Sequence, residues 1–279
     1  MLRKSKGSSR INFLEIEYGR AVKCIIFSRK TLRVIFLFAF FLFKFVNIWA
    51  QSEPINCDRP GFTTTGITLP QKHIQIETGL MFEDNHDHLN IPFFSSLIRF
   101  GIIDRFELRL AFEPMLSTPL PKAFRENDLG LNYLKAGFKW HLLKEKGIIP
   151  DIFLLANSSL PILENLTKQP YSLSPDLVFG FSHTITPFIS LGYNFSIKLD
   201  DKFNASYQYA TAMSFFVTEK TDFFMEFYGD FSSKLNAFDC GFAYRFRNNM
   251  QFDIYAGKGL SAISYDFFIA AGYSYRLPK

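Results

Sequence analysis

Residues 188–199 read FISLGYNFSIKL, and apolar and polar side chains alternate along the whole stretch. In an extended chain, Ile189 and Leu191 point to one face, whereas Ser190 and Asn194 point to the other. A sustained period of two is the pattern of a β-strand with one apolar and one polar face. The stretch therefore predicts a strand that separates an apolar environment from a polar one.

The same alternation returns along the chain beyond residue 72, in segments separated by turn-forming residues. Segments 106–112 and 237–246 show it as clearly as the first stretch. A soluble sandwich also alternates, so this pattern alone does not distinguish a sandwich from a barrel. We predict an all-β fold of about twelve antiparallel strands, with ten or fourteen as open alternatives. The predicted strands are 73–82, 90–101, 105–114, 128–142, 150–160, 175–184, 187–199, 204–217, 222–232, 237–247, 250–259 and 266–277.

The connections between the predicted strands favour the barrel. Links from even- to odd-numbered strands are mostly short, with 143–149 as an exception, whereas odd-to-even links include long ones at 83–89, 115–127 and 161–174. Short turns at one end and long loops at the other are typical of outer-membrane barrels. Because an open sheet edge would leave backbone groups unpaired in lipid, we predict one closed up-and-down transmembrane barrel over residues 73–277.

The aromatic composition agrees with strands that face lipid. Aromatic residues make up 18% of the chain, and 35 residues are Phe. Globular cores use Leu, Val and Ile more evenly than this. No long apolar run follows residue 50, which disfavours a helical membrane protein.

Basic residues concentrate near the N-terminus. The first fifty positions hold ten of the 31 Lys and Arg but two of the 26 acidic residues, so the rest has 21 basic and 24 acidic side chains and a formal charge of −3. Basic residues, the apolar stretch 34–43 and the small residue Ala50 together form the pattern of a secretory signal. We predict a basic leader and signal peptide over residues 1–50, with a retained membrane anchor as the alternative. Since the basic charge lies in this leader, we predict no nucleic-acid partner.

A short segment, residues 51–72, precedes the first predicted strand. Its part from Cys57 onward reads CDRPGFTTTGITLPQK and is rich in Pro, Gly and Thr. We interpret it as an extended periplasmic lead-in or as a segment that folds into the lumen. Cys57 and Cys240 could form a disulfide in an oxidising compartment, but the alternation around Cys240 favours a thiol that faces lipid.

Several short motifs point to a family. Asp58-Arg59-Pro60-Gly61 precedes the first strand, Gln75-Ile76-Glu77-Thr78-Gly79 enters it, and residues 99–109 read RFGIIDRFELR. In order and spacing, the chain from residue 56 to residue 277 resembles the outer-membrane transporters grouped with the MetA-type proteins of meta-pathway phenol degradation. The resemblance implies an outer-membrane barrel that passes small, often aromatic, compounds.

The polar faces of the predicted strands carry charges of both signs. Such a face suits either a water-filled pore or a network of ion pairs that closes a narrow barrel, and the sequence leaves both open. The side chains predicted to line the lumen are Glu107, Arg109, Glu113, Lys139, Asp222, Glu226, Asp239, Arg245, Asp253 and Arg276.

We predict no catalytic, metal or cofactor site. His86-Asp87-His88 has the composition of a metal site, but a solvated loop explains it as well. A hydrolase would need a serine beside a histidine, and Ser182 and His183 are sequence neighbours that point to opposite faces. His141 has no evident serine partner in the sequence.

Three functions follow in order of preference. The first is a passive channel in the bacterial outer membrane for small apolar or aromatic solutes. The second is a structural or adhesive barrel with a plugged lumen, and the third is a hydrolase on a barrel. The predicted partners are outer-membrane lipid, a small-molecule solute and the barrel-assembly machinery, which we expect to recognise Tyr273 and Tyr275 near the C-terminus.

Overall fold

A computed structural model describes residues 53–59, 61–86, 88–119, 128–160, 173–200 and 202–278. The predicted leader and signal peptide lie outside these residues. The described residues form twelve strands: β1 Ile74–Asn85, β2 His88–Ile103, β3 Phe106–Pro119, β4 Asp128–Leu143, β5 Asp151–Ser159, β6 Pro175–Thr186, β7 Ile189–Leu199, β8 Ala205–Phe216, β9 Thr221–Asp230, β10 Leu235–Arg247, β11 Met250–Gly259 and β12 Phe267–Arg276.

The strands form a closed antiparallel barrel. Each strand pairs with the next in the chain, and β1 pairs with β12 from Gln75↔Arg276 to Asp84↔Phe267. Closure gives every strand two neighbours, so no sheet edge is left unpaired. The predicted all-β barrel of twelve strands is confirmed. Among the described residues, no helix is both long and apolar enough to cross a bilayer.

Strand alternation places apolar side chains on the outside and charged ones on the inside. On β10, Phe238 and Phe242 are 37% and 50% exposed on the outer face, whereas Asp239 between them is fully buried inside. On β3, Leu108 is exposed and Glu107 is buried. An apolar exterior around a charged interior is the reverse of a soluble protein and suits a barrel surrounded by lipid. The described strands therefore have the surface pattern of an outer-membrane β-barrel.

Some predicted loops are strand in the structure. β1 ends at Asn85 and β2 begins at His88, so most of the predicted loop 83–89 is strand. β3 continues to Pro119, so the first part of the predicted loop 115–127 is also strand. The side-chain pattern fails here because the β1–β2 register shifts between Gly79 and Leu80 and the β3–β4 register shifts between Glu113 and Pro114. Backbone pairing continues beyond both shifts.

The two barrel ends differ in their connections. Residues 104–105, 187–188, 217–220 and 248–249 make short turns at the end where the chain enters β1 and leaves β12. Residues 144–150 form a longer turn at the same end, as predicted, and contain a bridge between Lys146 and Ile149. By the usual orientation of such barrels, this is the periplasmic end.

Candidate functional site

Residues 53–59 and 61–72, here called the luminal segment, lie inside the barrel. The segment enters at the periplasmic end, where Ile55 N donates to Asn248 O at 2.6 Å, and returns there, where Lys72 N donates to Gly101 O at 2.8 Å. Between these points it rises into the lumen, and the ring of Phe62 stacks on Tyr228 with centroids 4.0 Å apart. Of the two positions that the sequence allowed, the segment takes the luminal one.

Arg99 on β2 joins both limbs of the luminal segment. Its Nη1 donates to Asn56 O at 3.1 Å and its Nη2 donates to Ile67 O at 2.9 Å. The remaining donors reach Glu77 and Glu107, so all five N–H groups of the guanidinium have an acceptor. The residue is 1% exposed. A buried arginine with every donor satisfied fixes the position of each group that it contacts.

Asp58 is the charged residue of the luminal segment at the centre of this network. Its carboxylate accepts from Lys139 Nζ at 2.7 and 2.8 Å and from Arg109 Nη1. Burial on its own would raise the pKa of Asp58, but Arg99, Lys139 and Arg109 lower it well below the usual range. Asp58 is therefore ionised at neutral pH and binds the segment to β3 and β4.

Near Arg99, two glutamates accept hydrogen bonds from the segment's backbone. Glu77 Oε2 accepts from the N–H groups of Asp58 and Arg59 at 2.9 and 3.0 Å. Glu107 Oε2 accepts from Leu69 N at 2.6 Å. We call Glu77, Arg99, Glu107, Arg109 and Lys139 the anchor cluster. It has two acids and three bases, and Asp58 makes its charge balanced.

The top of the luminal segment is held from β9. Glu226 accepts from Phe62 N at 2.6 Å and from Thr63 N at 2.9 Å, and it is 3% exposed. Beside it, Arg59 Nη2 contacts Asp253 on β11 at 3.3 Å. Burial would lower the pKa of Arg59, but Tyr255 and Asp253 raise it, so the guanidinium stays charged.

A cavity of about 330 Å³ lies between the luminal segment and the wall formed by β5–β11. Its periplasmic part has a row of hydroxyl groups, since Thr184 pairs with Ser190 and Ser190 pairs with Ser214 on adjacent strands. Above this row the wall has small residues, Gly192 and Ala212, which also pair. We call this 330 Å³ space the periplasmic cavity.

The structure places the sequence-predicted residues in four groups. Glu107, Arg109 and Lys139 belong to the anchor cluster, whereas Glu226, Asp239 and Asp253 are buried higher in the barrel. Asp222 and Arg245 line the periplasmic cavity and contact each other at 3.5 Å. The other two lie apart: Glu113 accepts from Ser95 Oγ at 2.8 Å, and Arg276 contacts the backbone oxygen of Glu53.

Sequence reasoning missed Arg99, Glu77 and Asp58 as site residues. Arg99 lies between two apolar residues on its strand and Glu77 follows the apolar Ile76, so alternation could have placed both inside the barrel. Asp58 has no periodic context, and no sequence signal links it to Lys139, which lies 81 residues away.

The histidines and cysteines lie outside the anchor cluster's ion pairs. His86 contacts Asp266 at 3.2 Å through Nδ1, and no metal-binding group of His, Cys, Asp and Glu is found among the described residues. His141 Nε2 lies 2.7 Å from Asp151 Oδ1. Cys57 and Cys240 are both free, so the disulfide considered from the sequence is not formed. Burial and then Glu77 raise the pKa of the Cys57 thiol, which keeps it protonated.

These features define a class: an outer-membrane β-barrel whose lumen is crossed by its own N-terminal segment. The chain belongs to the family described as "Putative MetA-pathway of phenol degradation", whose pattern matches residues 57–277. The resemblance seen in the sequence is confirmed. No curated protein matches the chain.

Three solved structures are compared with the chain by fold similarity. The COG4313 outer membrane channel from Pseudomonas putida F1 is 12% identical with a TM-score of 0.53, over 75% of this chain and 97% of that one. The KdgM porin in complex with disordered oligogalacturonate is 9% identical with a TM-score of 0.49, over 72% and 98% of the two chains. The CymD monoaromatic hydrocarbon channel is 8% identical with a TM-score of 0.41, over 75% and 89%.

Proposed function

We propose that this protein is a passive channel for small solutes, including aromatic ones, across the outer membrane. The observation that carries the proposal is the periplasmic cavity, because a luminal segment that served only to fill the barrel would leave no such space beside it. The family's description, which refers to phenol degradation, supports an aromatic solute. The proposal includes no catalytic step.

The lumen above the luminal segment suits an aromatic solute. Phe62 is 49% exposed although its ring stacks on Tyr228 and contacts the edge of Phe268. Tyr228 and Phe268 are themselves buried. The exposed face of Phe62 is therefore the accessible part of an aromatic cluster, and it offers a surface on which a second ring can stack.

The test uses purified full-length protein in planar bilayers and in liposomes. We expect discrete single-channel currents and swelling of liposomes in a small neutral sugar such as arabinose. Benzyl alcohol added on the loop side should interrupt the current briefly, and Phe62→Ala should shorten those interruptions without abolishing conductance. Complete absence of both conductance and solute flux would refute the proposal.

The plugged barrel is the second candidate, and the anchor cluster favours it. Arg99, Lys139 and Arg109 tie the luminal segment across the lumen with buried charges. If the barrel has a structural or adhesive role, then deleting residues 120–127 or 161–172 would abolish binding to its partners. The natural protein would show no solute flux in the liposome assay. We expect the barrel-assembly machinery to recognise Tyr273 and Tyr275 whether the protein is a channel or a plugged barrel.

A further inference from the structure

The luminal segment contacts opposite sides of the barrel in different ways. Toward β1–β4 it meets the anchor cluster, and Asp58 and Arg99 make several charge-assisted hydrogen bonds there. Toward β7, Thr64 N donates to Asn194 at 2.7 Å, with the Asn194 amide oriented to satisfy both neighbours. A single neutral hydrogen bond is weaker than a charged pair with two or more bonds. The contact on the β7 side is therefore weaker than the charged contacts to the anchor cluster and to Glu226 on β9, which holds the N–H groups of Phe62 and Thr63.

The wall beside this weaker contact is made of small residues. Gly192 has no side chain, and a Cβ added there would lie 3.3 Å from Thr63 Cγ2. Ala212 is the direct neighbour of Gly192 on β8 and lines the same cavity. Replacing either by an ordinary inward-facing side chain would fill the space between the wall and the luminal segment.

The periplasmic cavity leads upward to this contact. Its lining includes Thr184, Ser190 and Ser214 near the periplasmic turns, and it reaches Gly192 and Ala212 one pair higher along the strands. Asn194 is the next inward-facing residue of β7 above Gly192. Ala210 on β8 pairs with Asn194 on one side and with Tyr228 on the other, and the half-exposed ring of Phe62 stacks on Tyr228.

From this arrangement, and resting on the proposed channel function, we infer that solutes pass the luminal segment along β7 and β8. Ala212 and Gly192 set the width of the passage, and the hydrogen bond between Thr64 and Asn194 closes its upper end. Asp222 and Arg245 neutralise each other at the lower end. The residues of β7 and β8 that line the cavity, Ser190, Gly192, Ala212, Ser214 and Phe216, carry no charge, so the passage along these two strands favours uncharged solutes.

The main test modifies one position in the folded protein. Ser214→Cys replaces one oxygen atom by sulfur, so the variant is expected to fold. Arabinose flux is measured in liposomes before and after a methanethiosulfonate reagent attaches a bulky group to this cysteine. Flux should fall by roughly tenfold, because pore width controls conduction. There are two controls, both treated with the same reagent. They are the natural chain and Met213→Cys on the lipid-facing side of the same strand, and both should keep their arabinose flux.

A second variant tests the position of the passage without a reagent. Ala212→Trp should reduce arabinose flux by roughly tenfold, whereas Met213→Trp should not, since the two residues face opposite sides of β8. Heat-modifiable migration on gels confirms that each variant is folded. Asn194→Ala should raise flux, because it removes the hydrogen bond from Thr64.

The outcomes separate this inference from the proposed function. If the unmodified protein passes arabinose but labelled Ser214→Cys passes it equally well, then the channel function stands and the route along β7 and β8 is wrong. If the unmodified protein passes no solute, then both are wrong. Slower passage of arabinonate than of arabinose supports the preference for uncharged solutes, and equal rates contradict it.

Discussion

Arg99 donates to both carboxylate oxygens of Glu107, from Nε at 3.0 Å and from Nη2 at 2.9 Å, and both side chains are buried inside the barrel. The pair links neighbouring strands β2 and β3 at the height where the luminal segment crosses. The same guanidinium also holds the backbone oxygens of Asn56 and Ile67. One arginine thereby connects the barrel wall with both limbs of the segment.

Replacing Arg99 by Leu should destabilise the protein by about 3–5 kcal/mol. The reason is that Glu77, Glu107 and Asp58 would remain buried without their shared cation. Arg99→Lys should cost less, since it keeps the charge but loses the two-point contact with Glu107. The measurement is urea unfolding in lipid vesicles. Lys220→Ala, at an exposed turn position, is the control and should change stability by less than about 0.5 kcal/mol. Equal stability of the Leu variant and the natural chain would contradict the role of Arg99.

The contribution of Asp58 should depend on pH in one direction. Its pKa in the folded protein is lowered, so its stabilising effect is complete above the ordinary carboxyl pKa and is lost as the pH falls through the folded value. We expect Asp58→Asn to lower the melting temperature by the same amount at about pH 7 and about pH 5, with the difference shrinking only below about pH 4. A difference that has already vanished at about pH 5 would show that Asp58 is not held by its three cations.

Gly101 is required where the luminal segment leaves the lumen. A Cβ at this position would clash with the backbone oxygen of Pro70. Gly101→Ala should therefore cost about 1–3 kcal/mol, because backbone rather than a flexible side chain must move. Gly130→Ala is the matched control, since nothing lies within 4 Å of its added Cβ. Thermal unfolding of the two variants decides the matter, and similar melting temperatures would count against the close packing at Pro70.

Cys240 tests the outward face of β10. It lies near the middle of the strand, next to inward-facing Asp239. Cys240→Arg should destabilise the barrel by about 2–4 kcal/mol, because a cation near the bilayer midplane is costly. Cys240→Leu should be tolerated. Urea unfolding in vesicles gives both values, and an Arg variant as stable as the Leu variant would mean that this position is not in contact with acyl chains.

Much of the fold could be predicted from alternation. The pattern around Phe238, Cys240 and Phe242 identifies the outer face, and the same rule places Glu107, Arg109 and Lys139 inside. The rule fails at 83–89 and 115–119, because register shifts between Gly79 and Leu80 and between Glu113 and Pro114 interrupt the pattern while the backbone remains paired. Periodicity records which face a side chain takes and does not record where pairing stops.

The anchor cluster was only partly predictable for a different reason. Glu107, Arg109 and Lys139 were recognised as inward charges, but Asp58, which pairs with Arg109 and Lys139, lies 51 and 81 residues away from them. Which inward charges meet depends on strand register and on the path of the luminal segment. Neither leaves a periodic signal in the sequence.

The sequence by itself determined that this chain closes into an outer-membrane barrel with an apolar exterior, because repeated period-two strands with one apolar face have no other way to satisfy their backbone in lipid. Only the tertiary structure decided what occupies the interior. The segment around Asp58 and Thr63 lacks the alternation of a strand, and its position depends on buried long-range contacts with Arg99, Lys139 and Glu226. The charged anchors hold the segment against β1–β4 and Glu226 on β9 holds its top, which leaves the cavity beside β7 and β8.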